Sequence, residues 1–214
     1  MLFENRDRIV FAGDSVTDAD RTSFQGQRND GLGKGYVSAF DAILAVAYPD
    51  KTFHVCNMGC GGYTILKLRD QWPEVMALKP DQLFICIGIN DVWRLYDSPE
   101  RDNHDIKVFE EEYDKIIAES KDKVKNLILM TPYYMEPNKN DLIRAEMDRY
   151  SDVVKKLAEK YSLRCIDLQA AFDKYLSSKH SSYLAWDRIH PGPVGSHLIA
   201  REIFRAIDFD GDFI

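Results

Sequence analysis

Four short stretches of this 214-residue chain hold side chains whose types and spacing suit proton transfer and attack on a carbonyl carbon. GDSVTD (13–18) offers a small, sharply turning segment with a hydroxyl at Ser15. Such a hydroxyl lies beside the N–H groups of an incipient helix N-terminus, which stabilise negative charge on a bound oxygen. NMGCGG (57–62) has three glycines that let the backbone pass close to a ligand, and Gly62 is its candidate N–H donor. GIND (88–91) offers the side-chain amide of Asn90 as a second donor. DRIHP (187–191) sets a carboxylate, Asp187, three residues before an imidazole, His190. Pro191 excludes helical geometry at His190, so this stretch reads as a turn. A turn brings its first and fourth residues within about 7 Å, close enough for Asp187 to hold the imidazole Nδ1 hydrogen and leave the far nitrogen free to accept a proton.

Taken singly, each stretch is an ordinary turn or helix cap. Taken together, they supply a nucleophile, a base, a group that orients the base, and preorganised donors for an oxyanion. The other histidines lack that context: His54 lies in a strand, His104 and His180 in polar loops, and His197 on a helix without a preset acidic neighbour.

The positioning elements follow from hydrophobic periodicity. Strands are predicted at Arg8–Ala12, Thr52–Asn57, Gln82–Ile87, Asn126–Met130 and Arg164–Asp167, each short and apolar enough to be buried on both faces. Helical spacing fills Tyr36–Tyr48, Thr64–Leu78, Ile106–Lys121, Leu142–Tyr161, Gln169–Lys179 and Pro193–Ile207. Alternation of this kind predicts an α/β parallel sheet covered on both faces, in which ligands sit beyond the carboxyl ends of the strands. Three of the four stretches directly follow a predicted strand. With no repeat and no linker, the whole of 1–214 reads as one domain.

The chain is 45% hydrophobic and 29% charged, with a net charge of −7, and it has no basic patch suited to a nucleic acid partner. No apolar run is long enough to span a membrane. The first residues lack the apolar core of a secretory signal, so a cytoplasmic location is expected. The four cysteines (Cys56, Cys60, Cys86, Cys165) have no metal or redox spacing and read as reduced, buried thiols. The glycine-rich run 31–35 lacks the spacing of a phosphate loop.

In order and spacing, GDSVTD, NMGCGG, GIND and DRIHP resemble the four sequence blocks of the GDSL/SGNH hydrolase family. The resemblance implies Ser15 as nucleophile and N–H donor, Gly62 and Asn90 as the rest of the oxyanion hole, and Asp187 and His190 as the remaining triad members. It implies no metal and no organic cofactor. The implied fold is the flavodoxin-like three-layer α/β/α sandwich of the SGNH hydrolases, a five-stranded parallel sheet of order 2-1-3-4-5. Residues 33–37, 88–94, 130–134 and 184–187 look closer still to the bacterial intracellular acetylxylan esterases of this family, which deacetylate xylo-oligosaccharides and assemble as homo-oligomers, octamers among them. A small acetylated carbohydrate is therefore the expected partner. Trp93, Tyr96, Tyr133, Tyr134 and Trp186, near the catalytic blocks, are the candidate sugar contacts or walls of an acyl pocket. The alternatives are a lysophospholipase or acyl-thioesterase, and a non-catalytic binding module on the same fold.

Overall fold

The computed structural model describes residues 2–23, 29–97 and 105–211; His104 lies outside them. Five strands, β1 (Arg8–Gly13), β2 (His54–Gly59), β3 (Gln82–Cys86), β4 (Asn126–Met130) and β5 (Arg164–Ile166), form one parallel sheet of order β2-β1-β3-β4-β5. This is the order that the family resemblance implied. The three central strands are buried nearly throughout because helices cover both faces, which explains their unbroken apolar sequences.

The helices are α1 (Ser15–Asp18), α2 (Tyr36–Ala47), α3 (Ile65–Ala77), α4 (Ile89–Asp97), α5 (Ile106–Ser120), α6 (Leu142–Lys160), α7 (Leu168–Leu176) and α8 (Pro193–Ala206). On one face α2 and α7 pack against α8; on the other, α3, α5 and α6 pack in series. The first face is built on aromatic rings: Phe11 of β1 stacks on Phe84 of β3 at 4.7 Å, and Phe40 of α2 stacks on Phe204 of α8 at 4.9 Å. On the second face the indole of Trp72 donates to Ser120 Oγ at 2.8 Å, joining α3 to α5 and satisfying a buried polar group in an apolar layer.

Apart from end shifts of a single residue, three features differ from the sequence reading. β2 starts later and runs on to Gly59, because Gly13 pairs with Gly59 and the sheet continues to the end of β1. α7 stops at Leu176 rather than near Lys179. GIND, read as a turn, opens the unpredicted helix α4: Gly88, at φ +137, turns the chain out of β3 straight into it. The parallel register aligns Gly13 with both Gly59 and Cys86, and Cys86 with Met130. The segments that leave β1, β2 and β3 therefore emerge side by side, where the strand order reverses.

Candidate active site

Ser15 is the first residue of α1, and tight packing fixes that short helix. A Cβ on Gly13 would lie 2.2 Å from the Cys86 carbonyl oxygen, and one on Gly59 would lie 2.3 Å from Asp18 N. Only glycines let the ends of β1, β2 and β3 approach α1 this closely. Asn57 completes the seat, its amide donating to the carbonyls of Thr17 at 2.7 Å and Leu32 at 2.9 Å. Asp14 caps α1 by accepting from Val16 N at 2.9 Å. Its carboxylate is buried, and that burial pushes its pKa up to about 7 against the opposing pull of the Val16 N–H and His190.

The Ser15 hydroxyl bonds His190 Nε2 at 2.8 Å, and His190 Nδ1 bonds Asp187 Oδ2 at 2.5 Å. The other oxygen of Asp187 accepts the backbone N–H groups of Ile189 at 3.0 Å and His190 at 2.9 Å, so one carboxylate fixes both the ring and the turn that carries it. Partial burial raises the Asp187 pKa, but the bonds from the His190 ring and the two backbone N–H groups outweigh it and hold the acid below its ordinary range. An antiparallel bridge between Ala185 and Pro191 pinches the base of this loop. A hydroxyl bonded to an imidazole that is itself bonded to a carboxylate can lose its proton as it attacks an electrophilic carbon.

In the loop that follows β2, Gly62 has φ +74 and open space where a Cβ would stand. Its N–H, like that of Ser15, has no hydrogen-bond acceptor among the described residues. Asn90, in the first turn of α4, is buried and donates to the Tyr63 carbonyl at 2.9 Å, which leaves its second amide hydrogen for a further acceptor. Asp91, which the sequence reading did not single out, accepts Ile65 N at 3.0 and 3.2 Å and so caps α3 from a neighbouring helix. Its burial likewise raises its pKa to about 7. The only sequence signal for this role was its position next to Asn90. Asp18 holds the same loop through Gly61 N at 3.2 Å.

A cleft of about 610 Å³ opens onto Ser15 and His190, its lining including Asp18, Lys34, Gly61, Tyr183 and Trp186. Trp186 is 88% exposed on its rim. Trp93 and Tyr96 are partly exposed on α4 and do not line this cleft; the Tyr96 hydroxyl donates to the Leu142 carbonyl at 3.2 Å. Tyr133 and Tyr134 are buried, Tyr133 against Phe172 at 4.3 Å, so packing accounts for both rings. Tyr183, absent from the sequence reading, joins Trp186 in that lining. Of the cysteines, Cys56 and Cys86 are buried as expected, whereas Cys60 and Cys165 are only partly so. Among the described residues no three His, Cys, Asp or Glu side chains cluster as metal ligands, and no helix is long and apolar enough to cross a membrane.

Residues 11–198 match the model of the GDSL-like lipase/acylhydrolase family. The chain belongs to that family. Within it, the sequence is 41% identical to an acetylxylan esterase of Geobacillus stearothermophilus over 98% of both chains. The crystal structure of Axe2, an acetylxylan esterase from that organism, superposes with a TM-score of 0.93 at 39% identity, again over 98% of each chain. LAE5, an α/β hydrolase from the metagenome of Lake Arreo, superposes with a TM-score of 0.94 at 38% identity over 98% of each chain. Like other GDSL-like acylhydrolases, this chain is a carboxylic ester hydrolase.

Proposed function

We propose that this chain is a serine esterase that removes acetyl groups from acetylated xylo-oligosaccharides or related carbohydrates, acting as one domain over 1–214. The observation that carries the reading is the continuous relay from Ser15 Oγ through His190 to Asp187, at 2.8 and 2.5 Å. His190 takes the Ser15 proton as Oγ attacks the acetyl carbonyl. The resulting oxyanion accepts from the N–H groups of Ser15 and Gly62 and from the Asn90 amide. Collapse expels the sugar hydroxyl, protonated by His190, and leaves an acetyl ester on Ser15. Water, deprotonated by the same imidazole, then attacks that ester and releases acetate and free Ser15. This sequence of steps calls on no metal or organic cofactor.

The acetylated sugar is supported by the likeness to acetylxylan esterases over nearly the full chain and by the exposed Trp186 on the rim of the cleft that Ser15 also lines. Trp93 and Tyr96 would take part only if a longer glycan reached α4. The family resemblance supports action in the cytoplasm by a homo-oligomer, octamers included, and light scattering on the purified protein reads that assembly directly.

The test compares a chromogenic acetyl ester with acetylated xylo-oligosaccharides, each assayed with wild type and Ser15→Ala. Both substrates are expected to be hydrolysed by wild type alone. Preference for long acyl chains or thioesters would move the assignment to a lysophospholipase or acyl-thioesterase, and activity surviving in Ser15→Ala would remove the mechanism.

A further inference from the structure

The turn that carries His190 is held from outside by a segment that the mechanism above does not use. Arg188, in the middle of the turn, has φ +67, a conformation that favours glycine. Its carbonyl accepts Met135 N at 2.9 Å, and its guanidinium meets Glu136 Oε2 at 2.6 Å. The adjacent Ile189 carbonyl accepts the Tyr133 hydroxyl at 3.3 Å. Three consecutive bonds thus join the turn to residues 133–136, the strap that follows β4.

The strap has its own anchors. Gln169 accepts Tyr134 N at 2.8 Å and donates to the Tyr134 carbonyl at 3.2 Å. Just before the strap, Ser151 donates to the Pro132 carbonyl at 2.7 Å. Arg144, 1% exposed, donates to the Glu136 carbonyl at 2.6 Å while its fork grips Asp173 at 2.8 and 2.7 Å. A rigid strap on one side and a glycine-like backbone angle occupied by arginine on the other make sense together if the side chain is needed where it is.

We propose that Arg188 and Glu136 are positioning residues, whose ion pair ties the Asp187–His190 turn to this strap and so fixes the imidazole against Ser15. The inference rests on the reading of His190 as the base.

Arg188→Gly removes the pair while suiting the backbone angle. Glu136→Gln removes its charge while keeping an oxygen that can accept Asn138 N, as Glu136 Oε1 does at 2.8 Å. On a chromogenic acetyl ester each variant is expected to lose about tenfold in kcat, with KM within about twofold, because misplacing a reacting group by a fraction of an ångström acts on the barrier rather than on binding. Inactivation of Ser15 by phenylmethylsulfonyl fluoride, which needs the same base, slows in step. The double variant is no slower than the singles, and Arg188→Lys recovers most of kcat. Melting temperatures stay near wild type; if Arg188→Gly does not fold, Glu136→Gln carries the test. Wild-type kcat in both single variants, or additive losses in the double variant, with His190→Ala inactive, overturns this inference alone. Full activity in His190→Ala overturns the triad reading instead.

Discussion

The Asn90 amide nitrogen donates to the Tyr63 carbonyl at 2.9 Å, so the group proposed to meet the oxyanion also fastens the loop that presents Gly62. The two proposed donors outside Ser15 are therefore mechanically linked. Asn90→Ala removes one donor and loosens the other, and turnover is expected to fall by about a hundredfold to a thousandfold, toward the upper end of that range. Steady-state kinetics on an acetyl ester check this, and near-normal turnover would count against the oxyanion assignment.

Asp187→Asn replaces an acceptor-only group by one whose amide can turn its N–H groups toward the ring or the turn. The imidazole then loses the partner that fixes its tautomer, and kcat is expected to fall by about 10⁴-fold. Circular dichroism should remain that of the wild type, which separates lost chemistry from lost fold.

Asp14 gives a pH prediction with a definite sign. Its folded pKa, about 7, lies above its ordinary 3.8, so the folded state holds the proton more tightly than the unfolded chain does. The stabilisation is fully present below the unfolded value and is lost as pH rises through about 7. Asp14→Asn keeps an oxygen to cap α1 and abolishes the titration. Its melting temperature should exceed that of wild type at alkaline pH, and the gap should close toward acidic pH. Parallel melting curves at every pH would refute the assignment.

Two glycine substitutions should differ in kind. Gly13→Ala drives a methyl group to 2.2 Å from the Cys86 carbonyl and is expected to cost about 1–3 kcal/mol or more. Gly62→Ala meets no atom, and only its φ of +74 is penalised, by about 1–2 kcal/mol. Urea unfolding distinguishes them, with Gly13→Ala the less stable.

The meeting of Ser15, His190 and Asp187 was legible because their side chains are chemically specialised, and three of the four stretches follow strand ends, which a parallel sheet places in one row. What escaped the sequence depends on three-dimensional packing. α4 was missed because Gly88-Ile89-Asn90-Asp91 has turn-forming composition, and nothing local tells that Gly88 at φ +137 leads directly into a helix. The end of β2 was missed because Gly59 stays in the sheet to pair with Gly13 under α1. Tyr133 and Tyr134 follow β4 as a contact residue would, but which way a ring points is decided by neighbours such as Phe172. The raised acids Asp14 and Asp91 depend on burial, and burial is a property of the folded chain.

The Ser15–His190 bond spans 175 positions of sequence. Ser15 sits just after the first strand, whereas His190 waits for the Ala185–Pro191 pinch and for α8 to dock on α2. Closing so long a loop is entropically expensive, and local contacts cannot compensate for it before the surrounding layers are in place. Hydrolysis is therefore a late reporter of folding. In mild denaturant it should fade while most helical signal persists, and during refolding it should return after the sheet has formed.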